Sequence, residues 1–308
     1  MNAQLADLLR LLQLEPLEVN LFRGESRDIG SAQVFGGQVL GQALTAASAT
    51  VQGRIVHSLH AYFLRRGDFN APIVYQVDRS LDGHSFANRR VVAIQHGEPI
   101  FNMAASFQVV EEGFEHQMEM PSVPPPESLP DSSRPPPELL ARMPEPLRRF
   151  LERPRPFEFR LAQPTDFLSP GSARPLRQVW FRAIDRLPDD ERLHRCLLAY
   201  LSDYFLLDTA TLPHGSALLR NALVMASIDH AMWFHRPLRA DDWLLYAVES
   251  PSASGARGFA RASVYARDGR LVASTAQEGL VRLRRERAGA AALPPEGVQR
   301  VSGGPSPG

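Results

Sequence analysis

Lysine is absent from this 308-residue chain, and all 34 basic residues are arginine. That excludes Schiff-base chemistry and any phosphate loop built on a lysine. A single cysteine, Cys196, rules out an internal disulfide framework and a multi-cysteine zinc site. It reads as a buried structural thiol. No apolar run approaches the ~18–20 residues that span a bilayer, so no stable membrane insertion is expected. Excess charge is lacking too: 34 acidic side chains balance 34 basic ones, so no nucleic acid partner is expected. The start, "MNAQLADLLRLLQLEPLEVNLF", is amphipathic and unlike a signal peptide, and the end, "GGPSPG", carries no peroxisomal address. The expectation is a cytoplasmic protein.

Proline, by contrast, is concentrated. Residues 113–156 hold it so densely that neither regular sheet nor a long helix fits, and the segment reads as an extended linker. A short helix around "PELLARMPEPLRRFLE" interrupts it. The composition of residues 287–308 suggests a disordered tail. Two folded units are left, at 1–112 and 157–286.

These units resemble each other. "HAYFLRRGDFNAPIVYQV" from His60 lines up with "HAMWFHRPLRADDWLLYAV" from His230, and "FANRRVVAIQHGEPIFNMAASFQ" from Phe86 with "FARASVYARDGRLVASTAQEG" from Phe259. On this alignment Ser227 matches His57, and Gln277 matches Ala105. An offset so much longer than a solenoid period points to a duplicated domain.

Each unit reads as one helix followed by an antiparallel meander. "VFGGQVLGQALTAASATV" is helical, with Gly36 and Gly37 near its start. Segments 54–65, 72–81, 85–95 and 98–109 alternate as strands and are joined by short glycine-containing turns. In the second unit, Leu193, Cys196, Leu197, Tyr200, Leu201, Tyr204 and Phe205 follow the i, i+3, i+4, i+7 spacing of a helix. Asp189, Asp190 and Glu191 stand at its start, where carboxylates favour the dipole. Strands are expected at 175–184, 221–234, 241–250, 257–268 and 270–284. The fold class is α+β, a sheet wrapped around a central helix in each unit, with the two sheets able to join edge to edge.

Ser227, Asp229 and His230 lie within one short stretch and suggest a hydrolase triad. On one continuous strand Ser227 and Asp229 share a face and His230 takes the other, so the three cannot form that triad. There is no G-x-S-x-G elbow either. No metal site is expected, because the nine histidines show no helical H-x-x-x-H pair. Asp203 is more informative. It flanks the apolar stripe of its helix near the C-terminal end, so burial and the helix dipole both push its carboxyl pKa up. An alternative role for Asp203 is a local bond to the backbone at the helix end. Asp208 reads as a turn or cap residue.

Several long segments in the same order carry a family resemblance: "VFGGQVLGQAL", "VHSLHAYFLRRGD", "LLAYLSDYFLL", "SIDHAMWFHRP" and "GRLVASTAQEGLVR" among them. The chain resembles the acyl-CoA thioesterase II family, double hot-dog hydrolases. The resemblance implies that Asp203, Ser227 and Gln277 hold and activate a water against fatty acyl-CoA of medium to long chain. Many members carry threonine where this chain has Ser227. The resemblance places oxyanion donors near the start of a central helix, making Gly36 and Gly37 candidates, and implies no cofactor. It also implies a homodimer or larger homo-oligomer. Two other readings stay open here: a hot-dog enoyl-CoA hydratase or dehydratase, with His57 in the site, and a non-catalytic acyl-CoA-binding protein.

Overall fold

The computed structural model describes residues 1–30, 33–132, 137–141, 145, 148, 152–162, 173–214 and 223–283. The tail expected at 287–308 and part of the Pro-rich segment lie outside them. The helices are α1 (Ala3–Leu12), α2 (Gly36–Ala49), α3 (Pro137–Ala141), α4 (Glu191–Ser202) and α5 (Leu206–Thr209). The first strands are β1 (Glu15–Glu18), β2 (Leu21–Gly24), β3 (Ile55–Phe63), β4 (Ile73–Asp82), β5 (Phe86–Gln95) and β6 (Glu98–Gln108). Then come β7 (Phe157–Leu161), β8 (Leu176–Ala183), β9 (Leu223–Ser227), β10 (Asp229–Phe234), β11 (Leu244–Ser254), β12 (Arg257–Ala266) and β13 (Leu271–Leu283).

All strand pairs are antiparallel, in the order β1-β2-β4-β5-β6-β3-β10-β13-β12-β11-β8-β7, with β9 added on β13. The join between the halves is β3 to β10, where Ala61 opposes His230 and Leu59 opposes Met232. Each half thereby covers the edge the other would expose. Helix α2 lies across β2 to β6, and α5 rests on β11 to β13. This is the expected double hot-dog arrangement.

Helix α2 is buried on nearly every face, which suits its run of Gly, Ala, Val and Leu. Helix α4 starts on Asp190, whose carboxylate accepts from Arg192 N and Leu193 N. That side chain satisfies donors the first turn leaves open. The two helices run antiparallel in contact. A Cβ at Gly37 would collide with the Tyr200 carbonyl, and one at Gly41 would sit 3.3 Å from that of Cys196. Glycine is what lets the backbones approach so closely.

Two expectations need correction. The first is a single strand over 221–234. The chain breaks at Ile228, whose N–H donates to Glu278 O and whose carbonyl accepts from Phe63 N. Ser227 ends β9 opposite Gly279, whereas β10 begins at Asp229 and pairs with both β3 and β13. An inserted residue of this kind resets the alternation of side chains.

The second concerns the repeat. Leu64 N and Arg65 N donate to Ile100 O, as His235 N and Arg236 N donate to Val272 O, so the offsets are 171 and 172. Ser227 therefore matches Val56, not His57, and His230 matches Leu59, not His60. A slip of one residue exchanges the faces of a strand. Accordingly His60 is exposed while His230 is fully buried. The pairing of Gln277 with Ala105 stands.

The first part of the Pro-rich segment is extended and packed. Met120, Val123 and Leu129 lie against the cluster of Trp180, Trp243, Leu245 and Tyr265 in the second half, apart from the main core. Trp180 Nε1 donates to Pro124 O at 2.9 Å, and Pro126 is buried. These contacts cover tryptophans that would otherwise face water.

Candidate active site

Asp203 caps the C-terminus of α4, next to a backbone reversal in which Phe205 takes φ +63°. For a bulky residue that left-handed conformation is uncommon and strained. The reversal turns the chain into α5 and leaves the Asp203 carboxylate facing the start of α2. Gly37 N donates to its Oδ2 at 2.9 Å. Gly36 lies so near that a Cβ there would be 2.7 Å from the same oxygen. The carboxylate of one half thus sits on the positive end of the other half's helix.

Its other oxygen faces the sheet. Gln277 Nε2 donates to Oδ1 at 2.7 Å, and Ser227 Oγ donates to it at 3.4 Å. Gln277 Nε2 also lies 3.1 Å from Ser227 Oγ. The structure therefore brings Asp203, Ser227, Gln277, Gly36 and Gly37 together from four elements of both halves. Ser227 and Asp203 are half-buried, and Gln277 is fully buried.

Burial raises the Asp203 carboxyl above the usual carboxylate range, and the bonds from Gln277, Gly37 and Ser227 pull it partly back. From sequence, burial and the dipole of its own helix accounted for the rise. The opposing α2 N-terminus comes from another half of the chain and could not be seen there. What results is a desolvated carboxylate, oriented by three donors, with a hydroxyl beside it.

His57 is not part of this cluster. Its Nε2 lies 2.8 Å from Ser106 Oγ, its ring packs edge-on to Phe86, and burial lowers its pKa. It neighbours Val56, whose carbonyl accepts from Arg195. Arg195 precedes Asp203 by eight residues on the same helix, about 12 Å along the axis. The first half's counterparts of Ser227 and Gln277 are the apolar Val56 and Ala105, so among the described residues the constellation exists once.

The sequence puts His230 on the strand face opposite Ser227 and aligns it with His60. The break at Ile228 overturns the first reading, and the offset of 171 overturns the second. Its Nδ1 lies 3.2 Å from Gln277 Nε2, and its Nε2 lies 2.9 Å from Ser202 Oγ and 3.0 Å from Thr275 Oγ1. Ser202 is tied down further, its carbonyl accepting from Tyr246 OH at 2.7 Å. The available sequence signal was the phase of β13, where Thr275 and Gln277 are two residues apart and share a face. Asp229 has a local role, accepting from Glu278 N at 2.6 Å.

Aromatic rings wall the site. Phe35 packs on Tyr200 and Tyr204 with centroids 5.2 and 4.7 Å away, and Phe159 contacts Tyr204 and Phe205. Behind Tyr200 and Tyr204 lies a cavity of about 140 Å³, also lined by Leu8 and Leu11 of α1. A larger cavity of about 720 Å³ sits at the opposite end of α4, among Asp189, Glu191 and His194, away from the cluster. Cys196 is buried in the core, and that burial pushes its thiol up to about 11. Among the described residues no helix is long and apolar enough to cross a membrane.

Comparison with known proteins gives the family. Residues 153–280 match a family model described as acyl-CoA thioesterase. Residues 23–108 match one described as the acyl-CoA thioesterase N-terminal domain. Acyl-CoA thioesterase 2 of Haemophilus influenzae is 44% identical over 92% of this chain and 99% of its own length. Human acyl-coenzyme A thioesterase 8 is 42% identical over 89% of this chain and 88% of its own. A crystal structure of an acyl-CoA thioesterase II from Mycobacterium marinum superposes with TM-score 0.74 at 45% identity, covering 90% of this chain and 98% of that one.

Proposed function

The chain belongs to the acyl-CoA thioesterase II family and is a thioester hydrolase, and we propose that it cleaves medium- to long-chain acyl-CoA by direct attack of water. The observation that carries the mechanism is the Asp203 carboxylate, held on one oxygen by Gly37 N–H and on the other by Gln277 and Ser227. Asp203 removes a proton from water as the oxygen attacks the thioester carbonyl. Ser227 accepts from that water, and Gln277 orients the Asp203 carboxylate and the Ser227 hydroxyl so that it approaches in line. The tetrahedral oxyanion forms beside the α2 N-terminus, where the helix dipole favours negative charge and the Gly36 N–H is the candidate donor, the Gly37 N–H being taken by Asp203. Collapse expels the CoA thiolate, which takes up the proton, and releases the carboxylic acid.

No covalent acyl-enzyme is needed. Ser227 is bonded to a carboxylate and an amide, and among the described residues no histidine is bonded to its hydroxyl as a serine nucleophile requires. The aromatic wall of Phe35, Tyr200, Tyr204 and Phe159 supports an apolar acyl slot beside the cluster. The hydratase reading relied on His57 as the counterpart of Ser227, and the strand register removes that correspondence. The units 1–112 and 157–286, association into a homodimer or larger oligomer, and a cytoplasmic location belong to the same proposal.

Thiol release measured across acyl-CoA chain lengths tests the substrate class, and turnover confined to short chains would contradict it. Intact-protein mass spectrometry of enzyme quenched during turnover tests direct attack. An added acyl mass abolished by Ser227→Ala would overturn it.

A further inference from the structure

We infer that His230 is a positioning residue: its ring fixes which end of the Gln277 amide faces Asp203. The role rests on the water-activation reading above and deepens it.

His230 is fully buried, so both ring nitrogens must be satisfied inside the protein. The surrounding hydroxyls settle how. Ser202 Oγ donates to Ala199 O at 2.8 Å, and Thr275 Oγ1 donates to Ala231 O at 2.9 Å. A hydroxyl has one proton. Toward His230 Nε2 both oxygens are therefore acceptors, so Nε2 carries the ring proton. Nδ1 is then bare, because burial keeps the imidazole neutral, its pKa pushed down to about 3.

A bare Nδ1 at 3.2 Å accepts from the nitrogen of the Gln277 amide and repels its oxygen. Rotating the amide by half a turn would set Oε1 against both the ring nitrogen and the Asp203 carboxylate. In the observed orientation one amide proton goes to Asp203 Oδ1, and the other is shared between Ser227 Oγ at 3.1 Å and His230 Nδ1 at 3.2 Å. Ser227 Oγ keeps its second lone pair for water. The orientation has a cost: Gln277 Oε1 is buried without a partner among the described residues. The relay runs from two backbone carbonyls through Ser202 and Thr275 to His230, Gln277 and Asp203.

The test compares four purified variants by kcat, KM and Tm: His230→Leu, His230→Asn, Gln277→Ala and the His230→Leu/Gln277→Ala pair. Leucine removes the acceptor, whereas the Asn carbonyl replaces it near the Nδ1 position. Expected is a ~10–100-fold loss of kcat in His230→Leu with KM within about threefold, and His230→Asn within about fivefold of wild type. In the Gln277→Ala background the leucine change should cost little more, since neighbours acting through one contact are not additive. Equal losses in His230→Leu and His230→Asn, or the same factor in both backgrounds, would reduce His230 to a core residue. An unchanged kcat in Gln277→Ala would instead overturn the assignment of Gln277 itself. Should His230→Leu fail to fold, Ser202→Ala/Thr275→Val keeps the imidazole but frees its tautomer. A folded Ser202→Ala/Thr275→Val enzyme with wild-type kcat would overturn the inference, and a lowered kcat supports it.

Discussion

Gly37 donates its backbone N–H to Asp203 across 166 residues of sequence, joining the start of α2 to the end of α4. The bond makes the site a property of both halves at once. It also fixes what a carboxylate there must endure: desolvation, offset by a helix N-terminus and two side chains.

Gln277→Ala should move the acid limb of the kcat/KM profile to higher pH. Gln277 is the strongest of the three bonds that lower the Asp203 pKa against desolvation, so its loss lets the pKa rise further. The base works deprotonated, and its working range contracts from the acid side. A pH–rate profile of the variant checks this, and an acid limb that stays put or moves down refutes it.

The two glycines should separate stability from catalysis. Gly37→Ala drives a Cβ into the Tyr200 carbonyl, so α2 and α4 must part. Overpacking of this sort costs about 1–3 kcal/mol, and the Tm falls. In Gly36→Ala the new Cβ lies 2.7 Å from Asp203 Oδ2 and displaces the carboxylate instead. There kcat should fall about tenfold or more, because small misplacements of a catalytic group are expensive, while the Tm changes less than in Gly37→Ala. Thermal unfolding beside steady-state kinetics measures both.

His230 should make the protein acid-sensitive. Its pKa is depressed by burial from 6.5 to about 3, so the native state stays neutral there while the unfolded chain takes up a proton below pH 6.5. Stability from this residue is therefore full above about pH 6.5 and falls by up to about 1.4 kcal/mol per pH unit toward pH 3. Denaturant unfolding at several pH values should show a shallower fall in His230→Asn than in wild type.

Much of this was legible in the sequence. The meander strands of the first half, the α4 periodicity, and the residues Asp203, Ser227 and Gln277 follow from spacing and family resemblance. The His230 network did not, because one inserted residue at Ile228 inverts the alternation used to read strand faces. The repeat is misaligned for a different reason. The His-Ala pairs at His60 and His230 match at an offset of 170. Ile228, however, has its own counterpart at His57, where β3 also shifts register, so an offset of 171 spans both and pairs Ser227 with Val56. The Gly37 contact was hidden for another reason. Helix α2 is buried on nearly every face, with Gln38 and Gln42 inside as well as its Gly, Ala, Val and Leu, so its pattern does not single out a contact with a carboxylate.

The most direct measurement is kcat of Asp203→Asn, read by thiol release from an acyl-CoA the wild-type enzyme turns over. Asparagine keeps the size and accepts at one position, but it cannot take a proton from water. Expected is a loss of about 10²–10⁴-fold in kcat, with a Tm equal to or above wild type at neutral pH. The sign follows from the raised carboxyl pKa: ionised Asp203 disfavours the fold above its unfolded pKa of 3.8, and asparagine lifts that cost. A folded Asp203→Asn enzyme that hydrolyses acyl-CoA at the wild-type rate would contradict water activation by Asp203.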